Sequence, residues 1–380
     1  MKRNLLFILL ILGIGAKAQD QNRKDLEFLV KTIQKLPSYQ DQVKDNPKLR
    51  YDINQIPFSD NETTFELFLK FYSLIAPIRD NHLTFYTNRD SAFAKPALLH
   101  LEKSLIDSAL QKSGDDSICG TYYAAAYQIQ IIKLGEKYFG IAQHNKQFET
   151  RFVLLKTIPN HFDMIGFVKD GGGYFLYRNV SFASGRLVGT PYRKYRGADF
   201  FSLPSGTPKY EFKLLEDGIA YLRLGSFYAS PEIIAESDQF FKQVVLPKNT
   251  KHLIVDLRDN RGGAFKNSKK FLDFVRGFDG KVHLMTNAYT GSNAEQFTIE
   301  LMDQKNLVRY GETTAGVICY GNNVDTIIDL PSKRFSFYIT DLKPKSKYIP
   351  FESYGVEPQI WLNGFTKDWV SQVMDYIKQN

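Results

Sequence analysis

The chain has 380 residues and a formal net charge of +8, with 30 Phe and 22 Tyr but only two Cys. That length supports two or three domains with ample core, and the wealth of aromatics suits packed β structure. No dense basic run stands out beyond the spaced Lys343, Lys345 and Lys347, so a nucleic-acid partner is not expected. Cys119 and Cys319 belong to no C-x-x-C pattern, and H-E-x-x-H is absent, so no metal and no cofactor is expected. The two cysteines are read as separate thiols.

In chain order, Lys2 and Arg3, the apolar run Leu5 to Ile14 and Ala16-Lys17-Ala18 have the layout of a secretory signal peptide over residues 1–18. The expected mature product starts at Gln19, resides in the periplasm or outside the cell, and has no stable membrane span. Residues 24–37 and 63–77 read as amphipathic helices, each ending at a proline, Pro37 and Pro77. They form a helical N-terminal region over 19–95. The stretch IRDNHLTFY after Pro77 reads as extended. From 96 to 207 short strand-like runs alternate with Gly, Asn and Asp, which predicts an antiparallel β domain. From 208 to 380 the pattern becomes α/β. GIAYLRLGSF, HLIVDLR and KVHLMTN read as strands, with helices in between and after, so a parallel sheet with crossover helices is expected.

In such sheets reacting groups gather in loops at the strand C-terminal ends. Asp259 to Gly263 and Tyr289 to Ser292 occupy two such places. Ser292 and Glu295 have the S-x-x-E spacing of a capping box, so on this stretch alone Ser292 reads first as a helix cap, and a nucleophile reading must draw on other parts of the sequence. Gly262 and Gly263 would allow main-chain N–H groups to approach a substrate oxygen, or would simply turn strand into helix. The N–H of Asn293 opens the following helix, where unpaired donors and the helix dipole favour negative charge.

Four segments in order carry a resemblance. LIVDLRDNRGGAF, YTGSNAEQF, LVRYGETTAG and SYGVEPQIWL resemble the D-L-R-x-N-x-G-G, T-x-S-A-x-E, G-x-x-T-x-G and G-V-x-P-D-I segments of the carboxy-terminal-processing, or tail-specific, serine peptidases. The resemblance implies a ClpP/crotonase-like α/β core, with Ser292 as nucleophile. It also exposes departures. The lysine base of the common Ser–Lys branch is replaced by Val317, a usual Pro by Arg261, and the Asp of P-D-I by Gln359. No PDZ-like loop is evident. The tricorn-like branch instead uses a histidine in a D-x-H-like segment and a glutamate just before G-V-x-P. IRDNHLTF supplies His82, and FESYGVEP supplies Glu352. By the same resemblance Asn81 is a possible assisting residue. Read on its own, His82 could be a satisfied surface histidine beside Asp80. Taken together, the expectation is an exported endopeptidase acting on peptides or unfolded polypeptides through an acyl-enzyme on Ser292. His82 would be its general base, oriented by Glu352, and the N–H groups of Gly262 or Gly263 and of Asn293 would bind the oxyanion. The alternative is a non-catalytic peptide- or lipid-binding protein on the same fold.

Overall fold

Leu26, Leu29, Val30 and Ile33 recur at helical spacing and are buried together, and they form one face of α1, residues 20–33. The computed structural model describes residues 20–46, 56–59, 62–88, 99–124, 127–144, 147–168, 172–322 and 326–379. The leader read over residues 1–18 lies outside the described residues. Pro37 does not close α1's neighbourhood as expected. It opens a second helix, α2 (Pro37–Gln42), where its missing N–H costs nothing. Helix α3 (Thr64–Ile75) starts at a full capping box between Thr63 and Glu66 and buries Leu67, Phe68, Phe71 and Tyr72.

The chain divides into two units, one of residues up to 195 with 320–343, the other of Arg196–Cys319 with Pro344–Asn380. In the first unit, β1 (Thr84–Thr87) follows α3, and α4 (Lys103–Lys112) precedes the strands β2 (Gly120–Ala124), β3 (Tyr127–Leu134), β4 (Lys137–His144), β5 (Gln147–Lys156), β6 (His161–Phe167), β7 (Tyr174–Ala183) and β8 (Arg186–Val188). These pair antiparallel as a meander, in keeping with the alternating pattern of the sequence. Period-two burial sorts their side chains. Val153 joins the core under α1 and α3, while its neighbours Phe152 and Leu154 join the core on the other face. Residues 320–343, read above with the C-terminal region, return to this sheet as β14 (Ile327–Asp329) and β15 (Phe335–Tyr338), and β15 pairs with β1.

The second unit is built on a six-stranded sheet of β9 (Tyr210–Glu216), β10 (Ile219–Leu224), β11 (His252–Asp256), β12 (Lys281–Thr286), β13 (Leu307–Gly311) and β16 (Ile360–Trp361). All pairs but β9–β10 are parallel. The crossovers are α5 (Pro231–Phe241), α6 (Phe265–Arg276) and α7 (Asn293–Leu301), and α8 (Trp369–Gln379) follows at the C-terminus. Ala220, Leu222, Leu253, Val255, Val282 and Leu284 face one core with Phe271, Leu272 and Phe297 of the crossover helices. Tyr221, Ile254 and Met285 face the other, with Trp369 and Val373 of α8. Both faces are therefore covered, as a parallel sheet requires. Among the described residues no helix is long and apolar enough to cross a membrane, no disulfide is formed, and no cluster of His, Cys, Asp or Glu could hold a metal ion.

Candidate active site

Ser292 stands where β12 gives way to α7, with φ 52° and ψ −122°. A non-glycine residue rarely takes this conformation, which costs on the order of 1–3 kcal/mol and persists only where its surroundings over-determine it. A helix cap needs no such strain, since an ordinary N-cap sits in the extended region. The backbone has the form of a nucleophile elbow, a sharp strand-to-helix turn that presents a serine hydroxyl. Glu295 closes a capping box with Ser292, accepting the Ser292 N–H through Oε2 at 2.9 Å. The Glu295 N–H donates to the Ser292 carbonyl oxygen at 2.9 Å.

Three loops at strand C-terminal ends knit the elbow together. Thr290 donates its hydroxyl to the Leu257 carbonyl after β11 at 2.9 Å, and Gly291 N–H donates to the Asn260 carbonyl at 2.9 Å. From the loop after β13, Val317 accepts the Ser292 N–H at 2.8 Å, and Ala315 N–H donates to Thr290 at 2.9 Å. At the position where the resembled dyad branch has its lysine, Val317 thus contributes its main chain to the site.

Glu295 is the hub of this arrangement. It is fully buried and accepts four hydrogen bonds. Oε1 takes the Thr314 hydroxyl at 2.6 Å and the Gly316 N–H at 2.7 Å; Oε2 takes the Ser292 N–H and, at 3.0 Å, the Val317 N–H. Burial pushes its carboxyl up to about 7, against the opposing pull of these donors. The S-x-x-E spacing had marked Glu295 only as a cap. Its wider role depends on Thr314 to Val317 folding back onto α7, which spacing does not encode.

Gly262 packs directly against Ser292. A Cβ there would lie 2.7 Å from Asn293 N and 2.8 Å from the Ser292 Cβ, so only glycine fits. Its own N–H, however, donates to the Asn260 side-chain oxygen at 2.9 Å. Its part is to bring the loop close, while Asn260, a residue the sequence reading passed over, consumes its N–H. Gly263 lies at φ 137°, and its two neighbours bond to Phe227: Phe227 N–H to the Gly262 carbonyl at 3.1 Å, Ala264 N–H to the Phe227 carbonyl at 2.8 Å. The Gly263 N–H falls between these bonds and takes part in neither. The Asn293 N–H, at the first position of α7, has no acceptor within its own helix.

Glu352 is buried. Its Oε2 accepts the main-chain N–H groups of Ile318 at 2.9 Å and Cys319 at 2.8 Å, directly after Val317. Ser292, Gly262, Gly263, Asn293, Val317 and Glu352 therefore all belong to one unit and to loops at the same sheet edge. His82 and Asn81 belong to the first unit, in the turn between α3 and β1. Both are half-buried. The His82 N–H donates to Asp80 Oδ1 at 3.2 Å, and the Thr340 hydroxyl donates to Asp80 Oδ2 at 2.6 Å. Asp80 thus serves the main chain of His82. Arg178 fastens the same turn by donating to the carbonyls of Ile78 at 2.8 Å and Asp80 at 3.4 Å. Burial lowers the His82 pKa to about 4 and raises that of Asp80 to about 6.

Two further histidines have a structural place in the parallel sheet. His252 and His283 meet at 3.1 Å, and His283 reaches the Tyr310 hydroxyl at 3.0 Å, inside the sheet and away from the elbow's loop end.

Residues 218–276, from β10 through α6 and including Gly262 and Gly263, match the model of peptidase family S41. This match indicates a serine peptidase. No curated protein matches the chain. Among solved structures, the chain is similar to a putative peptidase from Parabacteroides merdae at 14% identity and a TM-score of 0.43, covering 94% of this chain and 96% of that one. It is similar to mature CPAF at 12% identity and a TM-score of 0.42, with 95% and 96% covered. For a photosystem II D1 C-terminal processing protease the values are 14% and 0.39, with 90% and 93% covered.

Proposed function

We propose that the protein is an exported serine endopeptidase of the carboxy-terminal-processing type, with a ClpP/crotonase-like core, that hydrolyses peptides or unfolded polypeptides. The observation that carries this reading is the strained elbow at Ser292, beside two main-chain N–H groups outside the local hydrogen-bond ladder, those of Gly263 and Asn293. Ser292 Oγ attacks the scissile carbonyl carbon and its proton passes to His82. The carbonyl oxygen becomes an oxyanion held by the Gly263 and Asn293 N–H groups. Collapse expels the amine, which takes the proton from His82. Water then hydrolyses the acyl-enzyme by the same route in reverse. Glu352 orients the histidine and stabilises its cationic form, and Asn81 assists. The low pKa of His82 keeps it neutral and ready to accept a proton.

A fluorophosphonate probe and a denatured-peptide library test the reading. Labelling and cleavage by the wild type, both lost in Ser292→Ala, support it. A wild type that neither labels nor cleaves while binding peptide or lipid would establish the non-catalytic alternative.

A further inference from the structure

Arg261 stands in the middle of the loop that touches the nucleophile, at the position where the resembled segment has proline. The residue before it, Asn260, accepts the Gly291 N–H at 2.9 Å. The residue after it, Gly262, is the one whose added Cβ would lie 2.8 Å from the Ser292 Cβ. The main chain of Arg261 is thereby fixed next to the elbow. Its side chain is exposed, and its guanidinium lies 5.6 Å from the centroid of the Tyr289 ring, three residues before Ser292. Among the described residues it forms no ion pair and no side-chain hydrogen bond.

The other charges of this loop are already used. Arg258 turns inward onto Asp256 at 2.6 Å. Asp259 accepts the Asn287 side-chain amide at 2.7 Å and the Leu203 N–H at 2.8 Å. The outward-facing remainder is cationic and aromatic. Lys266 is exposed, Phe265 is 45% exposed, and Lys345 lies 5.8 Å from the rings of both Phe265 and Tyr348. The cation–π contact with Tyr289 uses none of the guanidinium N–H groups, so they remain for a planar, bidentate acceptor.

We propose that Arg261 is a specificity-determining residue that binds a substrate carboxylate close to the scissile bond, an inference that rests on the peptidase reading of Ser292. The carboxylate could be an acidic side chain or the free C-terminus of the substrate. Both offer the two coplanar oxygens that the guanidinium edge fits.

Three matched fluorogenic peptides test this. One has Asp beside the cleaved bond and an amidated end, one has Asn there and an amidated end, and one has Asn with a free C-terminal carboxylate next to the cleaved residues. For the wild type, kcat/KM for at least one carboxylate peptide should exceed that for the neutral one by about tenfold, as a charge-assisted bidentate contact requires. The arm that shows the preference names the source. The preference should shrink at high salt, because the contact is exposed. Arg261→Gln should bring the ratio close to one, Arg261→Glu should invert it, and Arg261→Lys should retain part of it. A wild type that cuts all three peptides equally overturns the proposal without any variant. So does an Arg261→Gln protein that still labels with fluorophosphonate and keeps the wild-type ratio. If no peptide is cut and Ser292 does not label, the peptidase reading itself fails and this inference falls with it.

Discussion

Replacing Glu295 by Gln removes one acceptor oxygen from the centre of the site while keeping the shape of the side chain. The carboxylate receives four donors, two on each oxygen. Gln can keep its carbonyl toward Ser292 and Val317 and point its NH2 toward Thr314 and Gly316. The Thr314 hydroxyl can turn and accept, but the Gly316 N–H cannot. One fully buried main-chain donor then faces another donor, and one hydroxyl proton loses its acceptor, a cost of about 2–4 kcal/mol. For a domain of this size that lowers Tm by roughly 5–10 °C. A pH signature separates this from nonspecific damage. The folded carboxyl sits near 7, against an ordinary value of 4.5. A carboxyl with a raised pKa adds stability below its unfolded value, and that stability is lost as the pH rises from 4.5 through 7; here it is on the order of 3 kcal/mol. Wild-type stability should therefore decline over that window, and Glu295→Gln should remove this part of the slope. Denaturant unfolding followed by circular dichroism at pH 4.5, 6 and 7.5, with fluorophosphonate labelling rates alongside, reads both effects. An unchanged Tm together with an unchanged slope would refute the role of Glu295 as the anchor of the elbow.

Ser292→Ala should abolish turnover and leave the fold intact. Ser292→Gly should be equally inactive yet more stable by about 1 kcal/mol, because glycine accepts φ 52° without strain; a Tm no higher than that of Ser292→Ala would argue against stored strain. Gly262→Ala pushes a methyl to within 2.7 Å of Asn293 N, so it should lower kcat at least 100-fold, and near-normal kcat would show that this loop can retreat. Since burial lowers the His82 pKa to about 4, the acid limb of kcat/KM should fall well below pH 6.5, with activity lost as pH drops and the imidazole protonates. An acid limb at 6.5 or above, or one that survives His82→Ala, would remove His82 as the base. Val317→Lys should not rescue His82→Ala, as a lysine base also needs a site that lowers its pKa; recovered peptide cleavage would contradict this.

Periodicity determined much of the architecture in advance. Short strand-like runs such as FVLL, MIGF and YFLY, set apart by Gly, Asn and Asp, announced an antiparallel β region, and LIVD and VHLM, with helical stretches between and after them, announced a parallel sheet with crossover helices. Pro37 misled, since a proline closes one helix as readily as it opens the next, and only the chain's path decides which. The return of residues 320–343 to the first sheet was illegible, because β15 pairs with β1 across some 250 residues and pairing partners leave no mark on local pattern. The same division runs through the site. Motif order pointed to Ser292, Gly262, Gly263 and Asn293, residues whose backbone chemistry can be read from type and position. That Gly262 spends its N–H on Asn260, that Glu295 holds four donors, and that Val317 accepts from Ser292 were decided by the tertiary structure. The last two depend on loops distant in sequence meeting at one sheet edge, and hydrogen-bond accounting there closes only once they have met.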